Sequence, residues 1–210
     1  LRSPGGGMKH HGEAETHLRR VDRRLARIIE EVGPCRLLPR PPLASTFGAL
    51  AESIAYQQLT GKAAATIFGR FKKRVGRLTP RRVLALPLPE LRACGLSQAK
   101  AMAMQDLAAK TLAGVVPPPR KLASLSDEEI VSRLTEVRGI GRWTVEMLLI
   151  FGLGRPDVLP LSDYGVRKGF TRLWGRRQLV KPRELAEAGQ VWAPWRSVAS
   201  WYLWRACEMD

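Results

Sequence analysis

The stretch Thr135–Phe170, TEVRGIGRWTVEMLLIFGLGRPDVLPLSDYGVRKGF, joins two apolar runs through Gly139-Ile140-Gly141 and carries a lone aspartate, Asp163, downstream. Glycines this close together end a helix, because they tolerate positive φ and leave the backbone bare. Upstream, Ser126 followed by Glu129 is a capping-box pattern. The helix it opens carries Ile130, Val131, Leu134 and Val137 on one side. From Arg142 a second helix is apolar nearly all round, through Trp143, Val145, Met147, Leu148, Leu149, Ile150 and Phe151, the pattern of a buried helix. The spacing therefore predicts helix, hairpin, helix. Gly141 lies at a helix start, where unpaired N–H groups and the helix dipole attract an anion. Such a turn can grip a phosphate through its backbone without reading base sequence. By itself, a G-x-G step fits a plain tight turn between packed helices better.

Working outward, helical periodicity recurs almost everywhere and strand alternation is scarce, so the expected fold class is all-α, built of many short helices. THLRRVDRRLARIIEEVG reads as one helix with Leu18, Val21, Leu25, Ile28 and Ile29 on a face, stopped by Gly33-Pro34. Phe47–Gly76 reads as two helices with a break near Thr60-Gly61. Thr79–Gly114 reads as short helices broken at Pro87, Pro89 and Gly95, and VVPPPRKLASLS as a loop. Residues 1–7 read as an added leader with Met8 as the natural start, and residues 8–210 as a single unit. After Asp163, Val166, Phe170 and Leu173 resume helical spacing, which puts Asp163 at or near a helix N-terminus. The ordinary task of an aspartate there is to cap the helix, and the dipole also favours a negative charge.

Thirty-five Lys and Arg face nineteen Asp and Glu, a formal net charge of +16. Such an excess attracts polyanions, of which nucleic acid is the commonest. No run of uncharged apolar residues is long enough to predict a membrane span. Cys35, Cys94 and Cys207 are far apart and form no C-x-x-C pair, which argues against zinc, an iron–sulfur cluster and a disulfide framework. A reducing, cytoplasmic setting fits. His10, His11 and His17 are the only histidines. Triad, H-E-x-x-H and Cys-His chemistries therefore lack a histidine in the body of the chain.

The Thr135–Phe170 stretch resembles the helix–hairpin–helix and Gly/Pro-Asp signature of the DNA glycosylase superfamily. SIAYQQLTGKAAATIFGRF (Ser53–Phe71), CGLSQAKAMAMQDLA (Cys94–Ala108) and WAPWRSVASWYLW (Trp192–Trp204) resemble its alkylated-base branch, the 3-methyladenine DNA glycosylase II family. The likeness runs in order from about Phe47 to the C-terminus. It implies a two-lobed helical fold, with one lobe at about 47–154 and residues 8–46 packed with 155–210 in the other. Some members carry an extra N-terminal β-rich domain; the fold expected for this chain is without one.

The resemblance also implies roles. Gly139, Gly141 and Thr144 would present backbone N–H groups to a phosphate beside Arg142. Carbonyls of Thr135, Val137 and Ile140 would hold a structural Na+ or K+, with no cofactor needed for catalysis. Asp163 would be the catalytic carboxylate. Leu59 would be the wedge that fills the gap left by an extruded nucleotide, beside Gln58. Trp143 and Trp204 would line the base pocket, where an indole face favours a positively charged alkylated purine by about 0.5–2 kcal/mol. Met147 and Arg205 stand at two pocket positions where a subfamily has tyrosines, and Tyr164 would partly compensate. Arg172, Arg176, Arg177 and Arg196 are further candidate phosphate contacts. Bifunctional relatives place a lysine at the position of Trp143, and a tryptophan cannot form a Schiff base. The expectation is thus a monofunctional, monomeric, nucleoid-associated glycosylase acting on double-stranded DNA with a damaged base. The rivals are a non-catalytic helix–hairpin–helix DNA-binding protein and a glycosylase-lyase for oxidised bases.

Overall fold

Capping residues and prolines dictate where the helices begin. The computed structural model describes residues 6–37 and 43–209. Within them lie thirteen α-helices and no strand. The chain divides into two compact units, one made of Leu1–Arg40 with Leu149–Asp210 and the other of Pro41–Leu148. The leader expected at residues 1–7 lies largely outside the described residues.

The first unit starts with α1 (Gly6–Val21) and α2 (Arg23–Val32). The single helix expected here is two. Asp22 leaves the helical conformation and caps α2, its carboxylate accepting from the Arg24 and Leu25 N–H groups. The other carboxylate oxygen accepts from the indole of Trp192 at 3.1 Å, a partner 170 residues away that no local pattern announces. Leu18, Leu25, Ile28 and Ile29 are buried as their spacing predicts.

The second unit runs through α3 (Thr46–Tyr56), α4 (Gly61–Val75), α5 (Pro80–Leu84), α6 (Leu88–Ala93), α7 (Gln98–Leu112), α8 (Pro119–Ala123), α9 (Asp127–Leu134) and α10 (Arg142–Met147). Pro89 does not break a helix. It lies in the first turn of α6, where its missing N–H would have no partner anyway. The expected loop after Val115 contains α8, which likewise starts on a proline. The capping box at Ser126 and Glu129 forms as read. Leu50, Ile54, Phe71, Met104, Leu107, Leu134 and Val145 are fully buried in this unit.

The chain returns to the first unit through a π-helical turn, Leu148–Gly152, and then α11 (Tyr164–Leu173), α12 (Pro182–Ala188), a 3-10 turn (Gly189–Trp192) and α13 (Arg196–Glu208). Helices α11 and α13 pack in near contact. A Cβ built on Gly169 would lie 1.8 Å from the Leu203 carbonyl oxygen, so only glycine allows the two backbones to approach this closely. Phe170, Trp192 and Tyr202 fill the core around this crossing. No helix among the described residues is long and apolar enough to cross a membrane.

Candidate DNA-repair site

Asp163 is the N-cap of α11 and is 9% exposed. Its Oδ1 accepts from the Val166 N–H at 2.7 Å and from the Trp204 indole N–H at 2.8 Å. Two donors on one oxygen fix the plane of the carboxylate. Trp204 is held in turn by stacking on Phe151, with ring centroids 5.5 Å apart and planes 24° from parallel. Gly165 leaves room for that indole: a Cβ there would lie 2.8 Å from Trp204 Cδ1. Gly165 and Gly169 are four residues apart and so share one face of α11. Neither was singled out from the sequence, although the G-x-x-x-G spacing was available as a signal of close helix approach.

The loop leading to Asp163 is tied to the start of α13. Ser197 Oγ donates to the Arg155 carbonyl at 2.6 Å and accepts from the Val158 N–H at 3.0 Å. Ser197 N–H donates to the Pro156 carbonyl at 2.9 Å. Arg196 grips Asp157 through Nε at 2.6 Å and Nη2 at 2.7 Å, and these bonds hold the Asp157 carboxyl below its ordinary range. Arg196, expected as a phosphate contact, is thus engaged in fixing the Gly/Pro-Asp loop.

The hairpin lies in the other unit. Gly139 has φ +78°, a conformation that favours glycine. Gly141 is different: its φ is −96° and a Cβ would meet nothing within 4 Å. A Cβ there would enter open space, so the backbone at Gly141 is bare on its outer side. Val137 and Ile140 are buried and anchor the turn. Asp106 Oδ2 accepts the Arg138 N–H at 2.7 Å, and Lys110 bridges Asp106 to the Glu136 carbonyl. Arg142 at the start of α10 is paired with Glu128, at 3.0 and 2.6 Å. That pairing holds the Glu128 carboxyl below its ordinary range.

The second hairpin helix differs from expectation. It is only six α-helical residues before the π-helical turn, and it is not buried all round. Trp143 is 45% exposed. With Met147, one turn on, it lines a cavity of about 420 Å³ together with Ser53, Tyr56, Gln57, Gln58 and Thr144. That is within the usual size of a small-ligand pocket. Thr144 is itself buried. Gln58 has φ +57°, the one non-glycine with positive φ among the described residues, and Leu59 beside it is 41% exposed.

In the first unit, Tyr164 is 65% exposed beside Asp163. Arg205 lies over the Trp201 ring at 5.4 Å and donates to Glu208 at 2.9 Å. Among the described residues no group of three or more His, Cys, Asp or Glu side chains is placed to hold a metal.

A hairpin with an outward-facing glycine and a tryptophan-held aspartate at a helix cap occur in one chain and in the order read from its sequence. Residues 51–194 match the model of the HhH-GPD superfamily of base excision DNA repair proteins. The chain belongs to this superfamily. It is 36% identical over 200 residues to DNA-3-methyladenine glycosylase 1 of Schizosaccharomyces pombe, covering 94% of this chain and 88% of the relative. Its fold matches that of the Schizosaccharomyces pombe 3-methyladenine DNA glycosylase solved in complex with abasic DNA, with a TM-score of 0.83 at 36% identity, covering 94% of this chain and 98% of that one. It also matches a DNA-3-methyladenine glycosidase from Bacillus halodurans, with a TM-score of 0.82 at 33% identity over 93% of this chain and 88% of that one.

Proposed function

We propose that this HhH-GPD protein is a monofunctional DNA glycosylase that removes alkylated bases from double-stranded DNA and leaves an abasic site. The observation that carries the reading is the Asp163 carboxylate, fixed by Val166 and Trp204 at the cap of α11 inside the matched family segment. The named activity of the relatives supports the substrate class.

The bond to be broken is buried in the duplex, so the nucleotide must first leave the stack, at a cost of a few kcal/mol. Leu59, exposed and next to a strained residue, is suited to fill the vacated space. Gly139 and Gly141 offer backbone N–H groups to the adjoining phosphate, with Arg142 exchanging Glu128 for it. Trp143 and Met147 offer an apolar and aromatic lining to the base. Trp204 serves as a positioning residue through its bond to Asp163.

As the C1′–N bond lengthens, its electron pair departs with the base and positive charge grows on the sugar. Asp163 stabilises that charge and orients the water, whose oxygen forms the new bond to C1′ and whose proton is then lost. An alkylated purine already carries the positive charge that makes it a good leaving group, so no strong general acid is required. Trp143 has no amine to attack C1′, which accords with hydrolysis and not strand cleavage.

The carbonyls of Thr135, Val137 and Ile140 belong to one tight turn. An all-oxygen, uncharged donor set of this kind fits Na+ or K+, which would add positive charge beside the phosphate. Val137 O also takes the Ile140 N–H at 3.0 Å, and a carbonyl has a second lone pair to give. The protein acts as a monomer on nucleoid DNA.

The test is Asp163→Asn, assayed on dimethyl-sulfate-treated duplex with alkali cleavage of the abasic sites. Base release should fall by about a thousandfold or more while duplex binding persists. Undiminished release would remove Asp163 from the mechanism. A borohydride-trapped protein–DNA adduct would instead point to a lyase.

A further inference from the structure

The segment between α3 and α4 carries the exposed Leu59, and its support comes from a residue that the reaction itself does not call for. Lys100 lies in the first turn of α7, just after the Ser97 cap. A cation there opposes the helix dipole, and burial lowers its pKa by desolvating the charge. Lys100 therefore gains nothing from its own helix. What it does is donate from Nζ to the carbonyls of Ala55 at 2.8 Å and Gln57 at 2.7 Å, at the end of α3. Both acceptors lie at the helix C-terminus, where carbonyls lack intrahelical partners and the dipole is negative.

One residue further on, the backbone turns into the left-handed region at Gln58. A non-glycine residue stays in that region only when its surroundings over-determine it. The Gln57 side chain supplies a second tie, donating from Nε2 to the Gly139 carbonyl of the hairpin at 2.8 Å. The turn that presents Leu59 is thus bound on one side to α7 and on the other to the turn that faces the phosphate.

We propose that Lys100 is the positioning residue of the DNA wedge, holding the Gln57–Leu59 turn rigid and, through Gln57, in register with the Gly139–Gly141 hairpin. The proposal rests on the reading of Leu59 as the wedge. Insertion of the wedge and capture of the neighbouring phosphate then occur as one rigid step. Without Lys100 the turn relaxes out of the strained conformation and Leu59 must be reordered at each encounter.

The experiment uses the full chain and a duplex carrying a tetrahydrofuran abasic analogue opposite 2-aminopurine, whose fluorescence reports unstacking as the wedge enters. Lys100→Met should slow the fluorescence change about tenfold, and Lys100→Arg should restore most of it. Affinity for undamaged duplex, which needs no wedge, should stay within about threefold of the parent. Gln57→Ala removes the tie to the hairpin and one side chain of the Trp143 cavity; the tetrahydrofuran duplex presents no damaged base to that cavity, so this variant too should slow the fluorescence change, and it keeps the test open if Lys100→Met folds poorly. Leu59→Ala is the control: if it leaves the fluorescence change intact, the wedge reading itself fails. If Leu59→Ala abolishes the change while Lys100→Met and Gln57→Ala leave its rate alone, the wedge stands and the role of Lys100 is overturned. Equal losses in wedge insertion and in undamaged-duplex binding would make Lys100 an ordinary structural residue and also overturn it.

Discussion

Trp204 does two things at once with one ring: its face stacks on Phe151 and its edge N–H holds the Asp163 carboxylate. A phenylalanine keeps the stacking and loses the donor. Trp204→Phe should therefore leave the thermal midpoint close to that of the parent but slow single-turnover excision about tenfold or more, the scale of a hydrogen bond to a charged group. An unchanged rate would assign Trp204 to packing alone. Asp163 itself was legible in the sequence as a helix cap, because the return of helical spacing at Val166 and Phe170 marks the start of α11. The indole that donates to its carboxylate was not legible: it lies 41 residues away in the chain, and only the crossing of two helices brings it there. The reverse holds for Trp143. Its apolar neighbours suggested burial, and the structure leaves it open to solvent along one side of a cavity.

At the scale of elements, the crossing of α11 and α13 sets the relation between Asp163 and Trp204. Gly169 allows it, since any side chain would drive into the Leu203 carbonyl. Gly169→Ala should cost about 3 kcal/mol in urea unfolding, the upper end of the usual overpacking cost, because the obstacle is backbone and cannot rotate away. In the fraction that remains folded, excision should fall as well, since α13 carries Trp204 outward. A variant with full stability and activity would show that the two helices have slack not apparent in their spacing. Helix boundaries set by caps were readable in advance, as at Ser126. The cap at Asp22 was hidden by the continuous apolar spacing on either side of it: its carboxylate accepts from the Arg24 and Leu25 N–H groups and splits the first helix, and it also takes the distant Trp192 indole. Prolines misled in a consistent way, since at Pro89 and Pro119 they open helices instead of ending them.

For the whole molecule, the net charge of +16 should make DNA binding strongly dependent on salt. Binding to undamaged duplex should weaken about a hundredfold or more between about 50 and about 200 mM salt, as phosphate contacts release counterions. Filter binding across that range measures it. The excision rate of saturated enzyme should barely move, because Asp163 is buried and close-range interactions there are poorly screened. A flat binding curve would mean that the positive charge is not used on phosphates.

By itself the sequence determined the helical class, the hairpin and its glycines, the polyanionic partner and the candidate aspartate. The first three, and Asp163 as a helix cap, follow from periodicity, capping chemistry and charge, which act over a few residues or over the whole composition; the candidacy of Asp163 for catalysis came from the family resemblance. Only the tertiary structure decided which partners hold those residues: Trp204 on Asp163, Ser197 and Arg196 on the loop before it, and Lys100 and Gln57 on the turn before Leu59. The physical reason is that a buried polar group takes whatever donor or acceptor packing delivers to it, and packing joins residues without regard to their separation along the chain.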